Sequence, residues 1–449
     1  MEFDITLWAA VGFILAAYAV VGNDALQTLG TFINSNRHMH WTILFAFAAL
    51  ILVVTFTYGW QVNDGDPSYG RLANTSKYPP IPIEWYHVLP PAVLVIITRL
   101  GIPVSTSFMV LTIFATLGGL GSMIEKSLIG YGVAFATGFG VYMLVTRTFE
   151  DWFKKNDPEA FVPYGMIAIV GTVFLASQYY YFGTISNINE MYVGIGCVLV
   201  LEAIGLGMAL SVGRGLYWVV AQWATTAYLW SIWLIQDFAN IFVFLPRELT
   251  AAEGFGAMVI ILLLLGLTFA NGGGPVQRIL RTKTAVTDIR SATIVDFIYA
   301  SLLFFFKELS EIPMSTTWVF LGLIAGREYA FAILTRATRF IVAVIDTGED
   351  IAKAFIGIVL SIDLALGLPA IGATLSGDPI GWAELFPTET FKYLVIVGNV
   401  ILLPVVWFAF SKPEDHPNRQ KFIIGGIVMG MTLAISGTSL VRFVMSLGS

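Results

Sequence analysis

The sequence predicts an all-α integral membrane protein, and three observations carry that prediction. Of 449 residues, 57% are apolar and only 12% charged, 24 basic against 30 acidic, where a soluble domain carries roughly 25% charged residues. Mean hydropathy is +0.79. The apolar residues fall in long runs such as AMVIILLLLGLTFA at 257–270, the pattern of spanning helices and not of alternating ten-residue barrel strands. A hydrocarbon core of about 30 Å takes about 20 residues per helix, so the lipid bilayer is the solvent and no sizeable soluble domain remains.

Taken in order, ten segments read as full spans: 5–33, 41–60, 124–146, 161–182, 189–212, 216–246, 254–272, 351–376, 390–410 and 422–447. The first carries polar groups at 22–31 in place of a small-residue cleavage site, so it reads as a retained span. Segments 85–123 and 291–325 each hold two shorter apolar stretches, joined at Ile102-Pro103 and Ile312-Pro313, and read as re-entrant helical hairpins. Residues 328–345 include Arg336 and Arg339 and suit an interfacial helix. With the N-terminus outside, sixteen Lys and Arg fall in cytoplasmic loops against five outside, which places both termini outside the plasma (inner) membrane. Trp41, Trp60 and Trp85 at segment ends fit interfacial belts.

Several classes are excluded. The single cysteine, Cys197, leaves no disulfide framework or thiolate cluster. The net charge of -6 is spread over loops without a basic tract, so no nucleic-acid partner is expected. No phosphate-binding Gly-X-X-X-X-Gly-Lys-Ser/Thr loop occurs, and His38, His40, His87 and His416 have no paired carboxylate motif. Neither an ATP-driven pump, an enzyme nor a resident cofactor is expected.

One pattern occurs twice. VGNDALQTLGT (21–31) interrupts an apolar helix with polar residues, and GIPVSTS (101–107) follows with Pro103 79 residues beyond Asp24; QDFANIFVF (236–244) interrupts another, and EIPMSTT (311–317) follows with Pro313 76 residues beyond Asp237. The span count runs the two motif helices in opposite directions. The expected organisation is a first inverted repeat at 1–146, connecting helices at 147–215, a second repeat at 216–376 and C-terminal helices at 377–449. Inverted repeats of broken helices mark secondary transporters with a site between the repeats.

An intramembrane Asp costs roughly 2.5 to 3.5 kcal/mol on insertion scales, and here two are placed equivalently. Asn23, Asp24, Gln27, Thr28 and Thr31 share one helical face, as do Asp237 and Asn240, and their oxygens suit a small cation. A helix–helix hydrogen-bond cluster is the plainer alternative. At each Pro-X-Ser-Thr-Ser/Thr tip, a proline before hydroxyls and an apolar run is a helix start whose free N–H groups favour an anion. Ser105, Thr106, Ser107, Ser315, Thr316 and Thr317 supply further donors; simple capping by these hydroxyls is the alternative there.

These motifs resemble those of the inorganic phosphate transporter (PiT) family, with its Gly-Ala-Asn-Asp-Val-Ala-Asn-Ala signature and downstream Pro-Val-Ser-Thr-Thr-His segment in each half. GNDALQTLGT with IPVSTS and QDFAN with IPMSTT match in order and spacing, over about residues 10–125 and 225–330. The resemblance implies a homodimeric importer of inorganic phosphate coupled to transported sodium. It implies sodium ligands at Asn23, Asp24, Gln27, Thr28, Gln236, Asp237 and Asn240, and an anion held by the two tips with Asn23 and Asn240. The chain departs from the family at Gln27 and Gln236, where Asn is usual, and at Phe108 and Trp318, where each motif ends in His; 41–60 contains no acid. A proton-coupled permease for sulfate or another oxyanion shares this architecture, and an uncoupled anion channel is a third reading. Importing a dianion against 100 mV would cost about 4.6 kcal/mol, at about 2.3 kcal/mol per charge, and two co-transported cations cancel that. Arg99, Lys307, Glu308 and Glu311 lie near the tips with open roles.

Overall fold

The computed structural model describes residues 5–99, 104–144, 215–271, 289–309, 313–335, 340–377, 380–381 and 385–410. The described residues form helices and no strands: α1 (Leu7–Ser35), α2 (Trp41–Val62), α3 (Leu89–Arg99), α4 (Thr106–Leu111), α5 (Leu117–Leu144), α6 (Gly215–Phe242), α7 (Ala251–Ala270), α8 (Ile289–Leu309), α9 (Thr316–Thr335), α10 (Phe340–Leu375) and α11 (Glu389–Phe410). Short 3-10 turns precede α3 (Trp85–Val88) and follow α4 (Thr112–Phe114). Four helices are long and apolar enough to cross a membrane, namely Trp41–Val62, Ala251–Ala270, Thr316–Leu334 and Phe340–Leu375, and the two bent parts of α1 make a fifth. The expected spans at 161–182, 189–212 and 422–447 lie outside the described residues.

Local chemistry sets the helix starts. Thr250 and Glu253 exchange hydrogen bonds in a capping box that opens α7, satisfying two otherwise orphan donors. Thr6 caps α1 by accepting from the Ala9 N–H. The buried positions of α7, Gly254, Ala257, Ile261, Leu265 and Phe269, recur at helical spacing, while Phe255, Leu263 and Leu267 on the same helix are exposed. Exposed Leu50, Val54 and Val62 give α2 the same character. Helices that bury one apolar face and expose another belong in a bilayer. The protein is a multi-pass membrane protein.

α1 and α6 pack antiparallel at the centre. The Phe13 and Phe242 rings pack at 5.7 Å, tilted by 51°, and at the other end Asn36 Nδ2 donates to Gln222 Oε1 (2.8 Å). Trp230 and Trp233 of α6 stack at 4.9 Å, 7° from parallel, and the Trp230 indole N–H donates to the Ala48 carbonyl of α2 (3.0 Å).

α5 and α9 approach more closely. A Cβ on Gly138 would lie 2.6 Å from the Leu323 carbonyl oxygen, and one on Gly322 or Gly326 would collide with the Tyr131 or Phe135 carbonyl. Gly322 and Gly326 form a Gly-X-X-X-Gly pair, the small-residue interface that lets membrane helices meet backbone to backbone.

The first motif helix runs on as α1 from Leu7 to Ser35, with its parts Leu7–Asn23 and Thr28–Ser35 inclined at 52° to each other. α6 runs through its motif as one 28-residue helix, because Asp237 and Asn240 sit three apart on one face and Gln236 is tied to α8, its Nε2 donating to the Leu303 carbonyl (3.0 Å). The segment expected at 291–325 runs further, since α9 continues to Thr335, and its Thr316–Leu334 stretch is itself long and apolar enough to cross a membrane. The stretch 328–345 is divided between the end of α9 and the start of α10, with 336–339 outside the described residues.

Candidate functional site

The two Pro-X-Ser-Thr segments meet. The Ser107 hydroxyl donates to the Met314 carbonyl (3.0 Å), so the helix starts of α4 and α9 lie against each other although 207 residues separate those partners. Each start is built alike. Ser105 Oγ accepts from the Phe108 N–H (3.2 Å), and Ser315 Oγ accepts from the Trp318 N–H (3.2 Å). Both serines therefore act as N-caps. Phe108 and Trp318, standing where the resembling family has His, pack edge to face at 5.9 Å and wall the tips with aromatic surface.

The second motif helix reaches this junction. Asn240 Nδ2 donates to Asp237 Oδ1 (2.5 Å), to Ser107 Oγ (3.1 Å) and to Thr106 Oγ1 (3.2 Å). The Ser107 hydroxyl is also 3.5 Å from Asp237 Oδ1. Asp237 is 1% exposed. Its second oxygen, Asn240 Oδ1, Gln236 Oε1 and the hydroxyls of Thr316 and Thr317 are buried with no hydrogen-bond partner; Thr316 lies within electrostatic reach of Asp237 but makes no bond of normal geometry. Buried polar atoms are ordinarily paired. These five oxygens, on α6 and α9, are hard groups of the kind that a small cation or a hydrogen-bonded anion takes.

From the first motif helix, Asn23 is buried and its Nδ2 donates to the Val104 carbonyl at the first tip (3.0 Å). Thr28 is fully buried and Thr31 largely so. The side chains of Asp24 and Gln27 lie outside what the structure describes, as do those of Arg99, Lys307 and Glu308 and the whole of Glu311. Ser105, Thr106, Ser107, Ser315, Thr316, Thr317, Asn23, Asp237 and Asn240 are brought together at or beside the tips; Thr28, farther along α1, is not placed at the tips by any described bond.

Among the described residues, four buried charged side chains escaped the sequence reading. Asp296 of α8 accepts from Thr31 Oγ1 (2.6 Å) and Thr226 Oγ1 (2.9 Å), linking both motif helices. Asp363 of α10 accepts from Asn399 Nδ2 (3.0 Å). Each interrupts an apolar run, and an acid so placed is a functional signal in itself. Arg71 and Lys126, counted among the outer loop charges, are 3% and 8% exposed. Arg71 Nε donates to the Ile235 carbonyl (3.0 Å). Burial pushes the hydroxyl of the neighbouring loop residue Tyr78 up, against the pull of Arg71.

No protein-family model matches the chain, and no curated protein matches it. Among solved structures, one described as "The sodium-dependent phosphate transporter" matches with a TM-score of 0.56 at 16% sequence identity, over 82% of this chain and 98% of that one. The likeness is one of fold, and it spans nearly the whole of that transporter.

Proposed function

We propose that the chain is a secondary active transporter that imports inorganic phosphate together with sodium, by alternating access. The observation that carries this reading is the junction at Ser107, where two matched helix starts and the Asp237/Asn240 motif converge within hydrogen-bond distance. Buried N–H groups and hydroxyls serve an oxyanion, while the carboxylate and amide oxygens serve a cation. A shared junction lets each ion screen the other, which is the electrostatic basis of coupling. The fold shared with a sodium-dependent phosphate transporter supports the same reading, as does the family resemblance of the motifs.

The finer parts of the reading are an inverted pair of repeats with re-entrant tips, both termini outside the plasma membrane, and a homodimer. Thr106, Ser107, Thr316 and Thr317 hold the anion with Asn23 and Asn240; Asp237 with Gln236, and Asp24 with Gln27 and Thr28, hold sodium. Ser105 and Ser315 shape the two starts. The test is uptake of labelled phosphate into proteoliposomes under an imposed sodium gradient, with sulfate as competitor. Concentrative uptake that vanishes without sodium is the expected result. Uptake driven equally well by a proton gradient, or blocked by equimolar sulfate, would replace sodium or phosphate in the assignment, and purely downhill flux would make the protein a channel.

A further inference from the structure

α8 carries an acid that belongs to neither motif. Asp296 lies in the apolar run IVDFIYASLLFFF at 294–306 and is 1% exposed. An acid buried among membrane helices is held there against a cost and calls for a role. Its two oxygens serve two different helices: Oδ1 accepts from the Thr31 hydroxyl of α1 (2.6 Å) and Oδ2 from the Thr226 hydroxyl of α6 (2.9 Å). A carboxylate presents both acceptors on one rigid fork, so Asp296 brackets the two motif helices. Hydrogen bonds to an ionised acceptor are roughly twice as strong as neutral ones.

α8 is joined to the site at two further levels. One turn beyond Asp296, the Tyr299 hydroxyl donates to the Thr316 carbonyl at the second tip (3.1 Å). A further turn on, the Leu303 carbonyl accepts from Gln236, the neighbour of Asp237. α8 therefore keeps its hold on α6 and on the second tip by bonds that do not involve Asp296. The first motif helix is held differently. Its segment Thr28–Ser35 is inclined at 52° to Leu7–Asn23, and beyond its end neutral bonds tie Asn36 to α6, the amide donating to Gln222 and the Trp223 indole N–H donating to Asn36 Oδ1 (3.2 Å). Thr31 lies between that end and Thr28, one turn from the last sodium ligand assigned to this helix. The charged tie is thus the near one and the neutral ties are the far ones.

We propose that Asp296 is a positioning residue: through Thr31 it holds the Thr28–Ser35 segment against the body formed by α6, α8 and the second tip, and so sets the sodium site of the first motif helix. This rests on the sodium-coupled reading and deepens it, naming a group that registers the cation ligands with the anion tip while touching neither ion. The test is the sodium dependence of labelled phosphate uptake by the full chain in proteoliposomes, beside equilibrium phosphate binding at saturating sodium and the melting temperature of each variant. Asp296→Ala and Thr31→Val are each expected to raise the sodium concentration for half-maximal uptake by about tenfold, with phosphate binding at saturating sodium within about twofold of the parent. The double variant should be no worse than either single one, because both remove the same bond. Thr31→Ser, which keeps the hydroxyl, should return the parent's value. Thr226→Val, at an equally buried position, should shift it by less than about threefold, since Gln236 still holds α8 to α6. Melting temperatures that fall with the sodium dependence unchanged, or equal shifts in Thr31→Val and Thr226→Val, overturn the bracket and leave the transporter reading standing. Parent uptake that ignores sodium overturns the sodium reading and the bracket with it. Should Asp296→Ala fail to fold, Thr31→Val against Thr31→Ser still decides the matter.

Discussion

The first tip opens a six-residue helix, α4, that gives way to a 3-10 turn at Thr112–Phe114 and extended backbone at Ala115 before α5 begins; the second opens the uninterrupted twenty-residue α9. Both start with the same serine cap. The first arm is pinned to a loop instead of running on: the Thr116 N–H donates to the Lys77 carbonyl (2.8 Å), and a Cβ on Gly119 would lie 2.7 Å from the same oxygen. The motif helices differ likewise, α1 being bent and α6 continuous. Equal motifs thus sit on unequal supports. A helix start on a long, tightly packed helix is held by that helix, whereas one on a turn and a half is held by its neighbours, so the two tips depend on different contacts for their place.

The largest effect should come from the motif acids. Asp237→Asn and Asp24→Asn are each expected to abolish sodium-driven phosphate uptake while leaving yield and insertion unchanged. Loss in Asp237→Asn alone would make the halves unequal in chemistry as well as support, and normal uptake in both would remove the cation assignment.

At the tips themselves, Thr316→Val should weaken anion binding by one to two orders of magnitude, since donors to a charged group contribute about 1.5 to 3 kcal/mol and about 1.4 kcal/mol is tenfold. Thr106→Val should lose stability as well, because it removes an acceptor from the buried Asn240 amide. Equal melting temperatures and equal binding in the two variants would dissolve the distinction between the tips.

The packing of the second arm can be tested without touching the site. Gly326→Ala should destabilise by about 1 to 3 kcal/mol through collision with the Phe135 carbonyl. Gly140→Ala on α5, where a Cβ meets nothing within 4 Å, should be neutral or slightly stabilising. Thermal unfolding of the two variants side by side reads this directly, and equal melting points would mean that α5 and α9 do not pack as described. The smallest effect is expected at the shared caps: Ser105→Ala and Ser315→Ala should each cost about 0.5 to 2 kcal/mol. A markedly larger loss for Ser315 in a melting experiment would show that the long arm carries more of the fold than its partner.

The helical class, the paired motifs and the meeting of their tips could be read from the sequence because polar residues inside apolar runs are rare and these recur at matched spacing. The inequality of the halves could not, since nothing in GIPVSTS or EIPMSTT says how far the following helix will run. That depends on tertiary contacts such as Thr116 to Lys77 and Gly326 to Phe135. Asp296 and Asp363 were readable in principle, each a lone acid in an apolar stretch, but they have no repeat partner to draw attention to them. Arg71 and Lys126 were hidden for another reason. Charge counting assigns a residue to a side of the membrane by its position along the chain, and it takes no account of a loop residue such as Arg71, or a helix residue such as Lys126, that packs inward.

The contact between the tips also has a meaning in time. A single neutral hydrogen bond such as Ser107 to Met314 contributes about 0.5 to 1.5 kcal/mol net, so its presence biases joined over parted tips by only about twofold to about tenfold. Thermal agitation breaks such a bond far more often than a transporter turns over, because rearrangements of helices take microseconds to milliseconds. The bond therefore works as an indicator of state and not as a lock. In the proposed transport cycle the slow step then belongs to larger bodies, and the close α5–α9 seam would make those two helices move as one.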